Sequence, residues 1–169
     1  MQLSAEEVAI YLRNGGRLPE GALAARVSEL LAEAPLSPRK LGCRDGDRVY
    51  LCGTIGAAFD AWQRRLSVTS AADALVAQAI GAAAIERTMD ELERETAAAV
   101  LAPGEALSPR RSPGYGDLPL ALSREILERL DAPRRIGVTL TDSLLLVPSK
   151  SVTAVCAVVR EGKRLSGMP

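Results

Sequence analysis

The chain has 169 residues, 47% of them hydrophobic, which is enough for one domain with a real core, or for one core plus a small helical lobe. Its formal net charge is zero and its pI is about 6.4, and both values argue against a nucleic-acid partner and against attraction to an anionic membrane surface. The most apolar stretch, residues 71–85, is too short to span a bilayer, and the first residues lack the basic start of a signal peptide. We therefore expect a cytoplasmic protein without a membrane partner.

The residue types that are missing restrict the chemistry further. The sequence contains no histidine, which removes a Ser-His-Asp triad, a histidine-ligated zinc and a histidine ligand to cobalt. The cysteines Cys43, Cys52 and Cys156 show no Cys-x-x-Cys spacing, so we expect small core residues rather than a metal site or a disulfide framework. We expect no catalytic residue and no metal ligand. Any chemistry would then come from a bound small molecule or from the cofactor of a partner.

Two helices are predicted at the N-terminus. Ser4 and Glu7 form a capping box that begins a helix over about residues 5–13, and Asn14-Gly15-Gly16 ends it. After Pro19, apolar residues recur at helical spacing to about residue 34. We interpret residues 1–38 as a helical pair that packs on an α+β core formed by residues 39–169, within one compact unit.

The middle of the chain predicts a strand followed by two helices. A turn at residues 44–47 precedes a strand over 48–53, and Thr54-Ile55-Gly56 leads into a helix over about 57–65. Thr54 either caps this helix or helps to form an anion site at its N-terminus. Ser70 caps a long helix over about 71–100, whose predicted apolar face contains the following residues: Leu75, Gln78, Ala82, Ile85, Met89, Leu92 and Thr96.

The last third of the chain is predicted to be rich in strands. A short strand over 105–108 and a short helix that starts with Ser123 as its cap come first. Strands over 136–141, 144–147 and 152–159 follow, and Pro148-Ser149-Lys150 reads as the hairpin loop that makes the last two strands antiparallel. The fold class is therefore α+β, with an antiparallel sheet formed largely by the C-terminal strands and packed with one long and several shorter helices.

One loop has the composition of a binding site. Residues 110–117 combine two arginines, two glycines, a tyrosine and an aspartate. Pro113 and Gly114 cannot continue a helix, and glycine can take a positive φ or lie close to a ligand. Two simpler interpretations stay open: the Pro-Gly pair is an ordinary turn, and the two arginines, Arg110 and Arg111, form surface ion pairs with Asp117 or Glu105.

Several motifs resemble the activation domain of cobalamin-dependent methionine synthase, in its short stand-alone form. Arg110-x-x-x-Gly114-Tyr115 is similar to the Arg-x-x-x-Gly-Tyr motif of that domain. Two later blocks are similar in order and spacing to its Gly-x-x-Leu-Thr-Glu-Ser, x-x-x-Pro and Ser-Val-Ser segments, namely 137–143 and 147–155. Stand-alone members also begin with an amphipathic helix and carry a Val-Tyr-Leu-x-x-Thr-Ile-Gly segment, here residues 49–56. The likeness covers nearly the whole chain.

The resemblance implies a domain that binds S-adenosylmethionine and helps to remethylate cobalamin held by a partner. Arg110 would bind the carboxylate of the ligand, and Ser112 and Tyr115 would contact its adenine or ribose, with Gly114 shaping the loop. Glu86 or Asp142 would accept hydrogen bonds from the ammonium of the ligand. Glu86 is selected by aligning the long helix with that of the family without gaps. Glu86, Asp90 and Glu93 stand at i, i+4 and i+7, and the alternative for these three is a solvated helix face.

The implied partners are a corrinoid-binding methionine synthase module and a low-potential electron donor of the flavodoxin or ferredoxin type. If active, the chain would be a methyltransferase component that acts in trans. It departs from the family pattern at Gly116-Asp117, where a proline-rich continuation with a cysteine is usual, and at Asp142, where glutamate is usual. The alternative function is a non-catalytic docking or scaffold protein for a corrinoid protein that has kept the fold and lost the ligand.

Overall fold

The computed structural model of the protein describes residues 3–12 and 19–160, so the predicted helix end at Asn14-Gly15-Gly16 lies outside the described residues. In chain order the helices and strands are α1 (Ala5–Tyr11), α2 (Gly21–Glu33), β1 (Arg39–Asp45), β2 (Arg48–Thr54), α3 (Ala57–Thr69), α4 (Ala71–Val100), β3 (Glu105–Leu107), α5 (Leu122–Leu130), α6 (Ala132–Ile136), β4 (Thr139–Leu140), β5 (Leu146–Val147) and β6 (Ser151–Arg160). The predicted α+β class is confirmed. None of the helices in the described ranges is long and apolar enough to cross a membrane.

The main sheet has four strands in the order β1-β2-β6-β3, and all neighbours are antiparallel. Side chains alternate between its two faces. On β2, Val49 and Leu51 pack into a core that includes α1 to α4, whereas Tyr50 and Cys52 pack against α5 and α6. The sheet is therefore covered by helices on both faces, and its second strand is buried on both sides.

The strand pairing differs from the prediction in two places. Residues 39–45 form an edge strand that the sequence analysis did not predict, since RKLGCRD carries four charges and a glycine. The predicted hairpin around 148–150 does not form: the start of β6 pairs with β2, and β3 pairs with the other end of β6 at residues 158–160. β5 instead pairs with β4 in a separate two-stranded ladder.

The predicted caps hold at two of three helices. Ser4 and Glu7 form the complete capping box of α1, and the Ser70 hydroxyl accepts a hydrogen bond from the backbone of Asp73 at the start of α4. Ser123 does not cap α5, which begins one residue earlier. Thr54 does not cap α3, whose N-cap is Gly56 with no side-chain cap hydrogen bond. The Thr54 hydroxyl instead accepts a hydrogen bond from Gly56 N–H at 3.1 Å and a second one from the Ser151 hydroxyl.

Helix α4 is the central helix of the core. Its second half buries Ile85, Met89 and Leu92 as predicted, whereas Leu75 and Gln78 in the first half are exposed. The alanine-rich first half packs on more than one side, so that small residues on several faces are buried and a single stripe does not describe it. Residues of α1 and α2 belong to the same buried cluster as α4, and the boundary proposed at residue 38 stays a prediction.

Candidate functional site

The loop after β3 is attached to the edge of β6. The backbone of Arg111 exchanges two hydrogen bonds with Val155, each 2.9 Å long, and Ser108 N–H donates to the carbonyl of Ala157 at 2.8 Å. These bonds continue the pairing of β3 and fix where the loop leaves the sheet. The side chains of residues 110–115 are thereby brought to the same end of the molecule as the start of β6.

The loop then turns at Gly114. This glycine has a φ of +90°, a value that side chains of L-residues strongly disfavour. Its N–H donates to the carbonyl of Leu118 at 2.9 Å, and Tyr115 N–H donates to the carbonyl of Ser112 at 3.3 Å. The prediction of a positive φ at Gly114 is confirmed, and the loop is a closed turn with Ser112 and Tyr115 on either side of the glycine.

Arg110 reaches across to α4 and contacts three carboxylates. Its Nη1 donates to Asp90 at 2.5 Å and to Glu93 at 3.1 Å, and its Nη2 donates to Glu86 at 2.6 Å. The three acids lie on one face of the helix because they stand at i, i+4 and i+7. Burial lowers the pKa of Arg110, but the hydrogen bonds to the three carboxylates outweigh burial and raise it above its ordinary value. The guanidinium is therefore permanently charged and already hydrogen-bonded.

The surroundings of this cluster are acidic. One guanidinium faces three carboxylates, so the cluster carries an excess of negative charge. The phenol of Tyr11 on α1 responds to this field: burial raises its pKa first, and the nearby charges of Glu86 and Asp90 raise it further. Such a field attracts a cationic group and opposes an anionic one.

Beside the cluster lies an open groove of about 580 Å³, within the size range of pockets that bind small molecules. The 110–115 loop, helix α4, the start of β6 and the segment before β5 contribute to its lining. The lining residues are Glu86, Arg110, Ser112, Pro113, Tyr115, Leu120, Ser123, Leu144, Leu145, Leu146, Ser149, Ser151, Val152 and Thr153. The hydroxyls of Ser123 and Thr153 are hydrogen-bonded to each other at 3.1 Å, and both residues are buried.

The structure brings four of the six predicted site residues to this groove. Glu86, Arg110, Ser112 and Tyr115 line it, and the Tyr115 side chain is largely exposed at its rim. Gly114 is absent from the lining and acts through the backbone of the turn. Asp142 is exposed in a turn two residues before Leu144 and does not line the groove.

The sequence analysis did not identify the groove residues Ser123 and Leu144 to Leu146, which lie outside the 110–117 loop. Ser123 was interpreted as a helix cap, although its burial next to Thr153 shows a role inside the fold. Leu144, Leu145 and Leu146 were assigned to a sheet strand, yet Leu145 is 62% exposed at the groove. A run of three leucines next to turn residues was the one available signal for an exposed apolar edge.

The second arginine of the loop, Arg111, forms the surface ion pair that one of the two simpler interpretations predicts. Arg111 forms an ion pair with Asp117, and both side chains are exposed. Glu105, the other proposed partner, binds Arg44 instead, through bonds of 2.5 and 3.1 Å. Arg110 and Arg111 therefore differ in setting: the first is partly buried beside the groove, and the second lies on the surface.

The chemical groups of the groove can bind but offer no activated nucleophile. The two fully buried cysteines lie outside its lining, and burial raises the pKa of Cys52 to about 12 and that of Cys156 to about 11. Within the ranges that the structure describes, no cluster of three histidine, cysteine or acidic side chains is arranged to hold a metal ion. The groove therefore offers charged groups at Glu86 and Arg110 beside apolar and aromatic side chains.

No protein-family model and no curated protein matches the sequence. Among solved structures, the fold is similar to that of "Crystal Structure of the MetH Reactivation Domain bound to AdoHcy", with a TM-score of 0.61 and 14% sequence identity. The match covers 86% of this chain and 69% of that chain. At this identity the likeness establishes a shared α+β fold, which is the fold that the sequence motifs implied.

Proposed function

We propose that this chain binds S-adenosylmethionine in the groove and supports the reductive remethylation of the cobalamin of methionine synthase or of a related corrinoid protein. The observation that carries the proposal is that Arg110 and Glu86 line the same groove, with Nη2 of Arg110 2.6 Å from Oε2 of Glu86. The loop motif assigns Arg110 to the carboxylate of the ligand, and the ungapped helix register assigns Glu86 to its ammonium. The solved structure with a similar fold is described as bound to AdoHcy, which supports a ligand of the adenosyl type.

The groove suggests a place for each part of this ligand. Arg110 binds the carboxylate, for which a guanidinium is well shaped, and Glu86 accepts the ammonium. Asp142 was the second candidate for the ammonium, and its place outside the lining favours Glu86. The backbone of Ser112 and the ring of Tyr115 contact the adenosyl body at the rim.

The chain itself positions the ligand and performs no acid, base or covalent step. Cobalamin held by the partner would supply the nucleophile once reduced by a donor of the flavodoxin or ferredoxin type, and S-adenosylmethionine would supply the methyl group. Arg110 and Glu86 fix one end of the ligand so that its sulfonium faces outward from an open groove. This role needs no histidine and no metal ligand, in agreement with the composition.

The groove has a rim to which a partner can dock. Tyr115, Leu120 and Leu145 line the groove, are apolar or aromatic, and are between 41% and 76% exposed. Clustered exposed side chains of this kind are typical of interaction surfaces. We therefore place the corrinoid partner over this rim, where it would close the groove.

One observation favours the alternative, a docking protein that no longer binds the ligand. Arg110 already donates hydrogen bonds to three carboxylates, so a ligand must compete for it. Titration calorimetry with S-adenosylmethionine distinguishes the two functions. A dissociation constant in the micromolar range supports the proposal, and the absence of heat at millimolar ligand supports the docking protein.

Two matched variants test the assignment of Arg110. We expect Arg110→Lys to weaken binding by about 1.5 to 3 kcal/mol, or about 10- to 150-fold, because lysine cannot bind a carboxylate through two parallel hydrogen bonds. Arg111→Lys makes the same change on a neighbouring arginine whose ion pair is exposed, and we expect a much smaller effect. Equal and negligible effects of both variants would show that the motif register is wrong.

A further inference from the structure

Two of the three acids that hold Arg110 lie outside the groove. Glu86 lines it and can turn from Arg110 to the ammonium of a ligand. Asp90 and Glu93 also contact the guanidinium but are absent from the lining, so no ligand in the groove would gain from them directly.

The two acids occupy the end of the guanidinium that a carboxylate would need. Asp90 and Glu93 both accept from Nη1, and Glu86 accepts from Nη2. Nη1 carries two N–H bonds, and both are donated to these acids. A ligand carboxylate that binds both terminal nitrogens of Arg110 must therefore displace Asp90 or Glu93 from Nη1.

We infer that Asp90 and Glu93 are internal competitors for Arg110, which set how strongly the groove binds a carboxylate. The inference rests on the proposed function, and it concerns two residues that do not touch the ligand themselves. Each ion pair is partly exposed, so the competition is moderate and ligand binding stays possible. Neutralising either acid should release Nη1 and strengthen the binding of carboxylate ligands alone.

The first test measures binding of two probes to Asp90→Asn, to Glu93→Gln and to the double variant. S-adenosylhomocysteine carries the carboxylate, and 5′-deoxy-5′-methylthioadenosine is the same adenosyl thioether without the amino-acid end. We expect each single variant to bind S-adenosylhomocysteine about two- to five-fold more tightly, with no change for the second probe. The matched control is Glu95→Gln, since Glu95 lies on the same helix, is as exposed as Asp90 (61% against 63%) and pairs with Lys40 instead of Arg110.

The second test needs no ligand. Phenylglyoxal modifies accessible arginine side chains, and peptide mass spectrometry gives the rate at each arginine. We expect Arg110 to react several-fold faster in the double variant than in the wild-type chain. Arg26, which Asp73 holds through two hydrogen bonds of 2.8 and 2.9 Å, serves as the internal reference and should not change.

The outcomes separate this inference from the proposed function. If Arg110 is labelled no faster in the double variant, the inference is wrong whatever the binding data show. If 5′-deoxy-5′-methylthioadenosine binds and the affinity for S-adenosylhomocysteine does not rise, the inference is also wrong while the adenosyl site stands. If labelling accelerates and neither probe binds any variant, Asp90 and Glu93 do occupy Arg110, and it is the proposed ligand that is overturned.

Discussion

Replacing Gly114 by alanine tests whether the turn of the 110–117 loop shapes the groove. At a φ of +90° an L-residue is strained, and the expected cost is about 1 to 2 kcal/mol of folding free energy. Space is less limiting, because the added Cβ would lie 3.2 Å from Cδ1 of Leu120, the end of a flexible side chain. For a chain of this size we therefore expect the melting temperature to fall by about 2 to 8 °C.

Ligand binding should weaken as well as stability. The strain of alanine is relieved if the backbone of the turn rotates, and such a rotation moves Ser112 and Tyr115, which are joined across the turn by a hydrogen bond of 3.3 Å and both line the groove. We expect the affinity for S-adenosylmethionine to fall at least about tenfold, or about 1.4 kcal/mol. Calorimetry and thermal unfolding monitored by circular dichroism measure the two effects on the same samples.

Gly104→Ala is the matched control for this substitution. Gly104 has a φ of +79°, lies between α4 and β3, and has no heavy atom within 4 Å of an added Cβ. It should cost a similar amount of stability and leave binding unchanged. The reasoning is refuted if Gly114→Ala binds as tightly as the wild type, or if Gly104→Ala loses as much affinity. Collapse of folding in Gly114→Ala alone would show that the loop serves the fold instead of the ligand.

Three further predictions concern the rest of the molecule. Hydrogen bonds from Arg44, and then from the backbone N–H of Ala102, lower the pKa of Glu105 from its ordinary value of 4.5 to about 2. The stabilising effect of the ionised Glu105 is thus complete above pH 4.5 and is lost as the pH falls toward 2. Glu105→Gln should therefore flatten the acid limb of a curve of stability against pH. Gly42→Ala places a Cβ 2.3 Å from the hydroxyl of Thr96 and should cost about 1 to 3 kcal/mol in urea unfolding, part of which Thr96→Ala should restore in the double variant. Mixing the chain with free hydroxocobalamin should leave the corrin absorption spectrum unchanged, because the sequence has no histidine to ligate cobalt; a tight one-to-one complex would instead identify a corrinoid carrier.

The features that the sequence predicts well are those decided by local chemistry. Ser4 and Ser70 begin their helices because each hydroxyl satisfies a backbone N–H within three residues, which is visible in the sequence. The positive φ of Gly114 follows from its place after a proline in a loop. Four of the six predicted site residues line one groove: three come from the loop motif, and Glu86 comes from the register of the long helix.

The features that the sequence does not predict depend on contacts between distant segments. The edge strand β1 has weak strand propensity, and its pairing with β2 through the turn at Gly46 defines it. Ser123 has the residue type of a cap, but burial against Thr153 decides its role. The Phe59 ring and the Lys150 side chain pack against Gly81, a contact between segments distant in sequence.

The cluster at Arg110 connects the fold to the proposed function. The loop is attached at one side through the backbone of Arg111 to Val155, and at the other through the Arg110 side chain to α4. A ligand carboxylate that binds the guanidinium replaces ion pairs within the chain by ion pairs with the ligand. The net binding free energy from this exchange is therefore small compared with the strength of each bond. Most of the binding free energy must then come from the adenosyl body against the apolar rim. Since that rim is open, the free chain should bind its ligand only moderately, and a partner that covers the rim should strengthen the binding by burying the same surface.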